Sequence, residues 1–493
     1  MSEVKKMFVG GKWVEALDKG VREIINPCDG SVLSRVADGG AEDAKRAISI
    51  ARETFDVGEW SGMPGPDRAK LLWAFADEMT THVDELAKIE TQNTGKALIE
   101  SEYDVYDSAA CFRYYAGLIN KPGGQSYNVH DPAVHSISVR EPIGVCGLIS
   151  AWNFPMSLAA WKLAPALAAG NTLVFKPASL TPLSNLFMFE LFEKVAFPAG
   201  VVNIVTGSGD AVGQTIAESL DVDKVAFTGS VSVGRKVMTA AASNIKGVTL
   251  ELGGKSPNVI FADADFAAAV DYGLFGAFYN QGEVCTASTR LLVEEPIYDK
   301  YLAALVEKTK KIKIGNGLDK GVKMGPLISE AHMKTVLEYI EKGKAEGAKI
   351  ACGGNRITKP GYEKGFFIEP TIFTETRPDM AIVQEEIFGP VLVLQKFNGE
   401  EEAVRLANDT IYGLAAAVFS NDISKAIRVV RQIRAGITWI NTYGPVYNEA
   451  PWGGYKQSGL GRELGTYGLD DYTEVKQINI NTAVAPTGWF DAE

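Results

Sequence analysis

Between Val145 and Ala242 short apolar runs alternate with helical stretches, and this rhythm limits the folds open to the chain. Val145 to Ile149 is such a run; Ser157 to Ala169 reads as a helix closed by Gly170; Thr172 to Phe175 is the next run, before a helix started by Pro182. Val201 to Val205 then precedes a glycine-rich turn and a helix from Asp210 to Leu220. Lys224 to Phe227 precedes Thr228-Gly229-Ser230 and a helix from about Val231 to Ala242. Consecutive βαβ units of this kind predict an α/β fold with a doubly wound parallel sheet, whose ligand lies at the carboxyl ends of the strands.

After Leu252 the pattern restarts, with a strand from Asn258 to Phe261, a helix from about Ala264 to Asn280, a strand near Thr289 to Val293 and a helix from Tyr298 to Lys311. A second α/β domain is expected. The segments Gly123 to Arg140 and Tyr472 to Asn481 are extended and belong to neither domain, which suits strands that pair with a partner subunit. A chain of 493 residues has room for about three domains.

Composition removes whole classes of function. The net charge of −12 disfavours nucleic acid and anionic membrane surfaces as partners. The five cysteines, Cys28, Cys111, Cys146, Cys285 and Cys352, are scattered, which suits a reducing compartment better than a disulfide framework or a zinc cluster. The opening Met-Ser-Glu-Val-Lys-Lys has no apolar core, and the most apolar later stretch, Leu158 to Phe175, is broken by Lys162, Pro165 and Gly170. A cytoplasmic protein is expected, with no membrane span and no metal. None of the four histidines adjoins a motif, so chemistry built on a histidine base starts at a disadvantage.

Several windows can carry chemistry, each with a bland alternative. Gly254-Lys255-Ser256 has the tail of a P-loop, but Thr249 stands where its first glycine is required. The turn Thr228-Gly229-Ser230 opens a helix and can receive a pyrophosphate on free N–H groups, or be an ordinary serine cap. Cys285, in Gln281-Gly282-Glu283-Val284-Cys285-Thr286, is a nucleophile if nearby dipoles stabilise its thiolate and a small core residue otherwise. Glu251 ends an apolar strand before Gly253-Gly254, where burial can raise its pKa for proton transfer, or where it can sit in an ion pair. Asn153, in Ser150-Ala151-Trp152-Asn153-Phe154-Pro155, can donate to an oxyanion or cap a turn.

Taken together with Phe175-Lys176-Pro177-Ala178-Ser179, Glu385-Glu386-Ile387-Phe388-Gly389-Pro390 and Pro451-Trp452-Gly453-Gly454, these windows follow the order and spacing of the NAD(P)-dependent aldehyde dehydrogenase superfamily, which the chain resembles from about Ile25 to about residue 480. The resemblance implies a dinucleotide-binding domain of residues 1–122 and 143–253, a catalytic domain of 254–469, and an oligomerisation arm and tail of 123–142 and 470–493, in a homodimer or homotetramer. It implies that Cys285 attacks an aldehyde, that Asn153 and the Cys285 N–H hold the oxyanion, that hydride passes to the nicotinamide, and that Glu251 activates the water that releases the acid. It also puts Lys176 and Ser179 at the adenosine ribose, Gly229 and Ser230 at the pyrophosphate, and Glu386 and Phe388 around the nicotinamide ribose, with Trp152 in the cofactor site. NAD-preferring relatives commonly carry Glu where this chain has Ser179, so use of both NAD and NADP is expected.

Within the superfamily, Asn448-Glu449-Ala450-Pro451-Trp452-Gly453-Gly454 is most similar to the betaine aldehyde and aminoaldehyde dehydrogenases. That likeness implies a substrate tunnel lined by Phe154, Trp161, Tyr279 and Trp452, whose π-faces suit a quaternary ammonium, with Asp104 and Asp107 at its mouth. General aliphatic or aromatic aldehydes are the alternative. Retention of Cys285, Glu251 and Asn153 argues against a non-catalytic structural relative, and Glu251 argues against acyl transfer to CoA.

Overall fold

The computed structural model describes residues 3–121 and 123–490; residues 1, 2, 122 and 491–493 of the expected divisions lie outside it. Among the described residues an eight-stranded sheet runs in the order Gly459–Leu460, Gly247–Glu251, Lys224–Thr228, Val145–Ile149, Thr172–Lys176, Val202–Ile204, Met7–Val9, Lys12–Val14. Its five middle strands are mutually parallel, as the alternating pattern predicts. Each is short and fully or largely buried, because apolar layers cover both faces. One layer contains Phe75, Phe112, Phe189 and Phe192, with the Phe75 and Phe192 rings stacked at 3.8 Å; the other contains Ala44, Ile48, Val212 and Ile216.

Parallel register sets the positions of the site residues. Ile149 pairs with Lys176 and Thr228 with Glu251, so Trp152, Asn153, Lys176, Gly229 and Glu251 all lie at or just beyond the same carboxyl-terminal edge.

A seven-stranded sheet forms from the second half of the chain, in the order Lys349–Cys352, Thr371–Thr374, Val391–Phe397, Arg290–Glu294, Pro257–Ile260, Ala415–Phe419, Ile437–Ile440. Two expected helices differ from the sequence pattern. In place of a helix from Asp210 to Leu220 there is a π-helical turn Gly209–Gly213 followed by Gln214–Glu218, because Ser208 caps Ala211 and two glycines weaken the helix between them. The helix expected to reach Asn280 ends at Phe278, and Asn280 and Gln281 turn left-handed at φ 46° and 56°.

The two extended segments pair with each other: Val134–Pro142 and Thr473–Asn481 run antiparallel in unbroken register, with Ser126–Tyr127 on the far side of Val134–Pro142. Thr473–Asn481 is therefore an edge strand, and most of it is exposed. No helix among the described residues is long and apolar enough to cross a membrane, and no group of three or more metal-ligating side chains forms among them.

Candidate active site

The left-handed pair Asn280-Gln281 aims the following loop, and buried polar groups hold it there. Glu100 accepts the Asn280 N–H at 3.2 Å; the Asn280 amide donates to the carbonyls of Asn153 at 3.0 Å and Glu283 at 3.3 Å. Cys285 emerges from this clamp half-buried, on the wall of a cavity of about 720 Å³. Phe154, Trp161, Tyr279, Trp452, Asp104 and Asp107 all line the same cavity. Their sequence positions span more than three hundred residues, and the helix Leu98–Leu118, the helix Pro155–Ala169 and the Trp452 turn bring them together.

Asn153 is buried just ahead of the helix Pro155–Ala169, and its amide donates to the Glu283 carbonyl at 2.9 Å. An amide has two N–H donors, so one remains for an oxyanion forming at Cys285. The thiol itself differs from the sequence expectation. Burial pushes its pKa up to about 12, the Glu251 and Glu386 carboxylates add to the rise, and the N–H groups of Thr286 and Cys285 only partly oppose it. Dipoles alone do not hold a thiolate here, so the proton needs an acceptor.

Glu251 is close enough for its charge to act on the thiol. It is buried at the strand end, and burial together with Glu463 raises its pKa well above the carboxylate range, while Lys162 and Arg462 oppose the rise. Lys162 donates to Glu463 and, at 2.7 Å, to the Thr228 hydroxyl. The sequence reading missed Lys162 and Glu463. A lysine in the otherwise apolar stretch after Leu158 was the available signal, because a buried ammonium requires a partner.

Glu386, whose charge also acts on the thiol, accepts the Gly254 N–H at 3.0 Å and fills the space a Cβ on Gly253 would need. Burial raises its pKa to about 7. Phe388 follows in a left-handed conformation, its ring edge-on to Trp152 at 5.1 Å. Lys176 is buried with its pKa lowered to about 8, and it donates to the Pro177 carbonyl; Ser179 donates to the Gly207 carbonyl at 2.7 Å. Ser230 caps the helix Val231–Ala241 beside Gly229, which leaves that helix N-terminus facing the strand edge. By contrast the lysine of Gly254-Lys255-Ser256 is fully buried, so the P-loop resemblance has no phosphate-facing counterpart.

The acidic pair in the cavity wall is asymmetric. Lys96, fully buried, donates to Asp104 at 2.6 Å and lies 4.1 Å from the Phe154 ring centroid. Asp107 has no such cation among the described residues; the Asn448 amide donates to it at 3.3 Å, and burial with Asp104 nearby raises its pKa to about 6.

Comparison with known proteins agrees along the chain. A family model described as the aldehyde dehydrogenase family matches residues 13–478. The betaine aldehyde dehydrogenase of Bacillus subtilis (strain 168) is 49% identical over 486 residues, 99% of this chain and 99% of that protein. The peroxisomal aminoaldehyde dehydrogenase 2 of Pisum sativum is 44% identical over 493 residues, 99% of this chain and 97% of that protein. A crystal structure of betaine aldehyde dehydrogenase from Staphylococcus aureus in complex with NAD+ is similar with a TM-score of 0.98 at 46% identity, covering 99% of this chain and 97% of that one.

Proposed function

The chain belongs to the aldehyde dehydrogenase family, and from that premise we propose that Cys285, Asn153 and Glu251 oxidise an aldehyde to its carboxylic acid. The observation that supports this assignment is a thiol on the wall of a ring-lined cavity, with the buried Glu251 carboxyl acting on it and the Asn153 amide bonded to the loop two residues before it. Glu251 takes the thiol proton, and sulfur attacks the aldehyde carbon to give a thiohemiacetal. The second Asn153 N–H and the Cys285 N–H hold the oxyanion. A bound nicotinamide cofactor supplies the hydride acceptor. With the hydride gone to that acceptor, collapse of the oxyanion leaves a thioester on Cys285; Glu251 gives up the first proton to solvent and then removes a proton from the water that attacks the thioester. Acid leaves, the departing sulfur takes that proton from Glu251, and the Lys162–Glu463 pair acts on Glu251 in opposite senses, Lys162 lowering its pKa and Glu463 raising it.

The residues present fit a dinucleotide. Lys176, at the strand edge, gives only one of its three N–H groups to a described acceptor, and the capped helix N-terminus at Gly229-Ser230 suits a pyrophosphate. Glu386, Phe388 and Trp152 form the nicotinamide end of this reading. Ser179 leaves the adenosine end without the carboxylate that repels a 2′-phosphate, and Asp38, which acts on Lys176, is held in a two-point ion pair by Arg22. Both NAD and NADP are therefore expected to support turnover. Ser179→Glu should penalise NADP by up to about 3 kcal/mol, the Coulomb energy of unit charges about 5 Å apart at an effective dielectric near 20. Steady-state rates with both cofactors test this, and equal effects on the two, or a parent confined to NAD, would remove the assignment.

The substrate proposed is betaine aldehyde or an aminoaldehyde. Trp161 and Trp452, 5.3 Å apart at 60°, and Tyr279 offer π-faces, and Asp107 offers the charge that Asp104 spends on Lys96. A desolvated cation–π contact is worth about 2 kcal/mol, roughly 30-fold in affinity. Trp452→Ala should accordingly cut kcat/KM for a cationic aldehyde far more than for a neutral one of equal length. Asp107→Asn should also narrow that preference. Because its pKa is raised, the Asp107 charge is present above pH about 6 and lost below, so the parent's preference for the cation should fall as pH drops through that value. A ratio unmoved by either substitution, or a parent that prefers the neutral aldehyde, would transfer the enzyme to the general aliphatic or aromatic class.

The same reading includes a cytoplasmic homodimer or homotetramer, supported by five free cysteines and by the exposed edge strand Thr473–Asn481, and the three-part division of the chain named above. Light scattering of the purified chain reads the oligomeric state directly.

A further inference from the structure

The sequence sets the histidines aside because none adjoins a motif, yet folding brings one of them to the cofactor cleft. His332 lies in the first turn of the helix Glu330–Ala345, whose Ser329 cap accepts the His332 N–H. Its Nε2 lies 2.6 Å from the carbonyl oxygen of Phe388. A carbonyl can only accept, so Nε2 carries the proton in this tautomer, and burial, which lowers the pKa of the ring, keeps it neutral. The imidazole packs edge-on to Trp152 at 5.4 Å and to Phe388 at 6.2 Å. Phe388 itself has φ 59°, a conformation that a bulky residue holds only when its surroundings impose it.

A second contact points the other way. The same Nε2 lies 3.8 Å from the buried carboxyl of Glu283, which accepts the Ile328 N–H at 2.9 Å. The backbone carbonyl of Glu283 receives the Asn153 amide. One imidazole thus touches both the turn that follows Glu386 and the loop that precedes Cys285. His332 does not line the cavity that holds the thiol, so it is not placed to exchange a proton there.

We propose that His332 is a positioning residue of this enzyme: its Nε2–H holds the Phe388 carbonyl and so fixes the left-handed turn that presents Glu386 and Phe388 to the cofactor. This rests on the reading of that turn as the nicotinamide end of the site.

The test compares His332→Leu, which removes the donor, with His332→Gln, which keeps an N–H of similar reach. NAD binding to the purified cofactor-free protein is measured by calorimetry, and Cys285 reactivity by its alkylation rate with iodoacetamide without cofactor. Loss of one buried hydrogen bond predicts binding weakened about fivefold or more in His332→Leu, with His332→Gln near the parent and alkylation unchanged in both. If the leucine variant does not fold, His332→Asn, too short to reach the carbonyl, takes its place. Parent-like NAD binding in the donorless variant, equal defects in Leu and Gln, or alkylation altered by the same factor as binding would each overturn the proposal. Phe388→Ala separates the two readings. If it binds NAD as the parent does, the turn itself is misassigned; if it binds weakly while His332→Leu does not, only the role of His332 fails.

Discussion

Cys285→Ala is expected to remove aldehyde oxidation, with a fall of about four orders of magnitude or more, because covalent capture is the first chemical step. No other cysteine is placed to substitute: Cys111 and Cys146 are fully buried, and Cys28 and Cys352 lie away from the ring-lined cavity. The thiol is half-exposed to that cavity, so its loss should leave stability and cofactor affinity near the parent values. Steady-state reduction of the cofactor is the measurement. Activity within about tenfold of the parent, equivalent to about 1.4 kcal/mol of barrier, would refute the nucleophile.

Glu251→Gln is expected to separate the two halves of the reaction. Acylation can still occur, since the partly exposed thiol retains slower routes to lose its proton, but the thioester has no base beside it. A burst of one equivalent of reduced cofactor, little turnover, and a covalent adduct on Cys285 by mass spectrometry are the expected signature. Full turnover without an adduct would move water activation to another group. The same substitution tests the electrostatics independently of catalysis. Glu251 binds its proton more tightly folded than unfolded, so stability conferred by the parent chain should fall as pH rises past about 4.3, the ordinary glutamate value. Glutamine escapes that loss, so the Tm of the variant should gain on that of the parent with rising pH. Removing one of the two carboxylates that raise the thiol pKa should also lower that pKa in the cofactor-free enzyme.

Where these residues could be read in advance depended on how far along the chain their evidence lay. The parallel strands were legible because apolar runs of four or five residues between turn signals leave few alternatives, and the helix end at Gly170 and the helix start at Ser230 follow from local caps. The helix before Cys285 was predicted two residues too long. Asn280 and Gln281 are held left-handed by Glu100 and Gly325, partners that local periodicity cannot reveal. The resemblance to aldehyde dehydrogenases, carried by spaced motifs, named Cys285, Glu251, Asn153 and Glu386 together, although each window alone admitted a structural explanation.

By itself, then, the sequence determined the α/β architecture, the family and the chemistry-bearing motifs, because these rest on periodicity and on residue order, which are properties of the chain. Only the tertiary structure decided what each side chain faces. It put Lys96 on Asp104 and left Asp107 the less neutralised acid, set Lys162 and Glu463 near Glu251, buried the thiol within reach of two carboxylates so that its pKa rises, and carried His332 to the Phe388 carbonyl. The reason is that desolvation and Coulomb energy depend on distance in space and on exclusion of water. Both are set when strands and helices far apart in sequence close over one cavity.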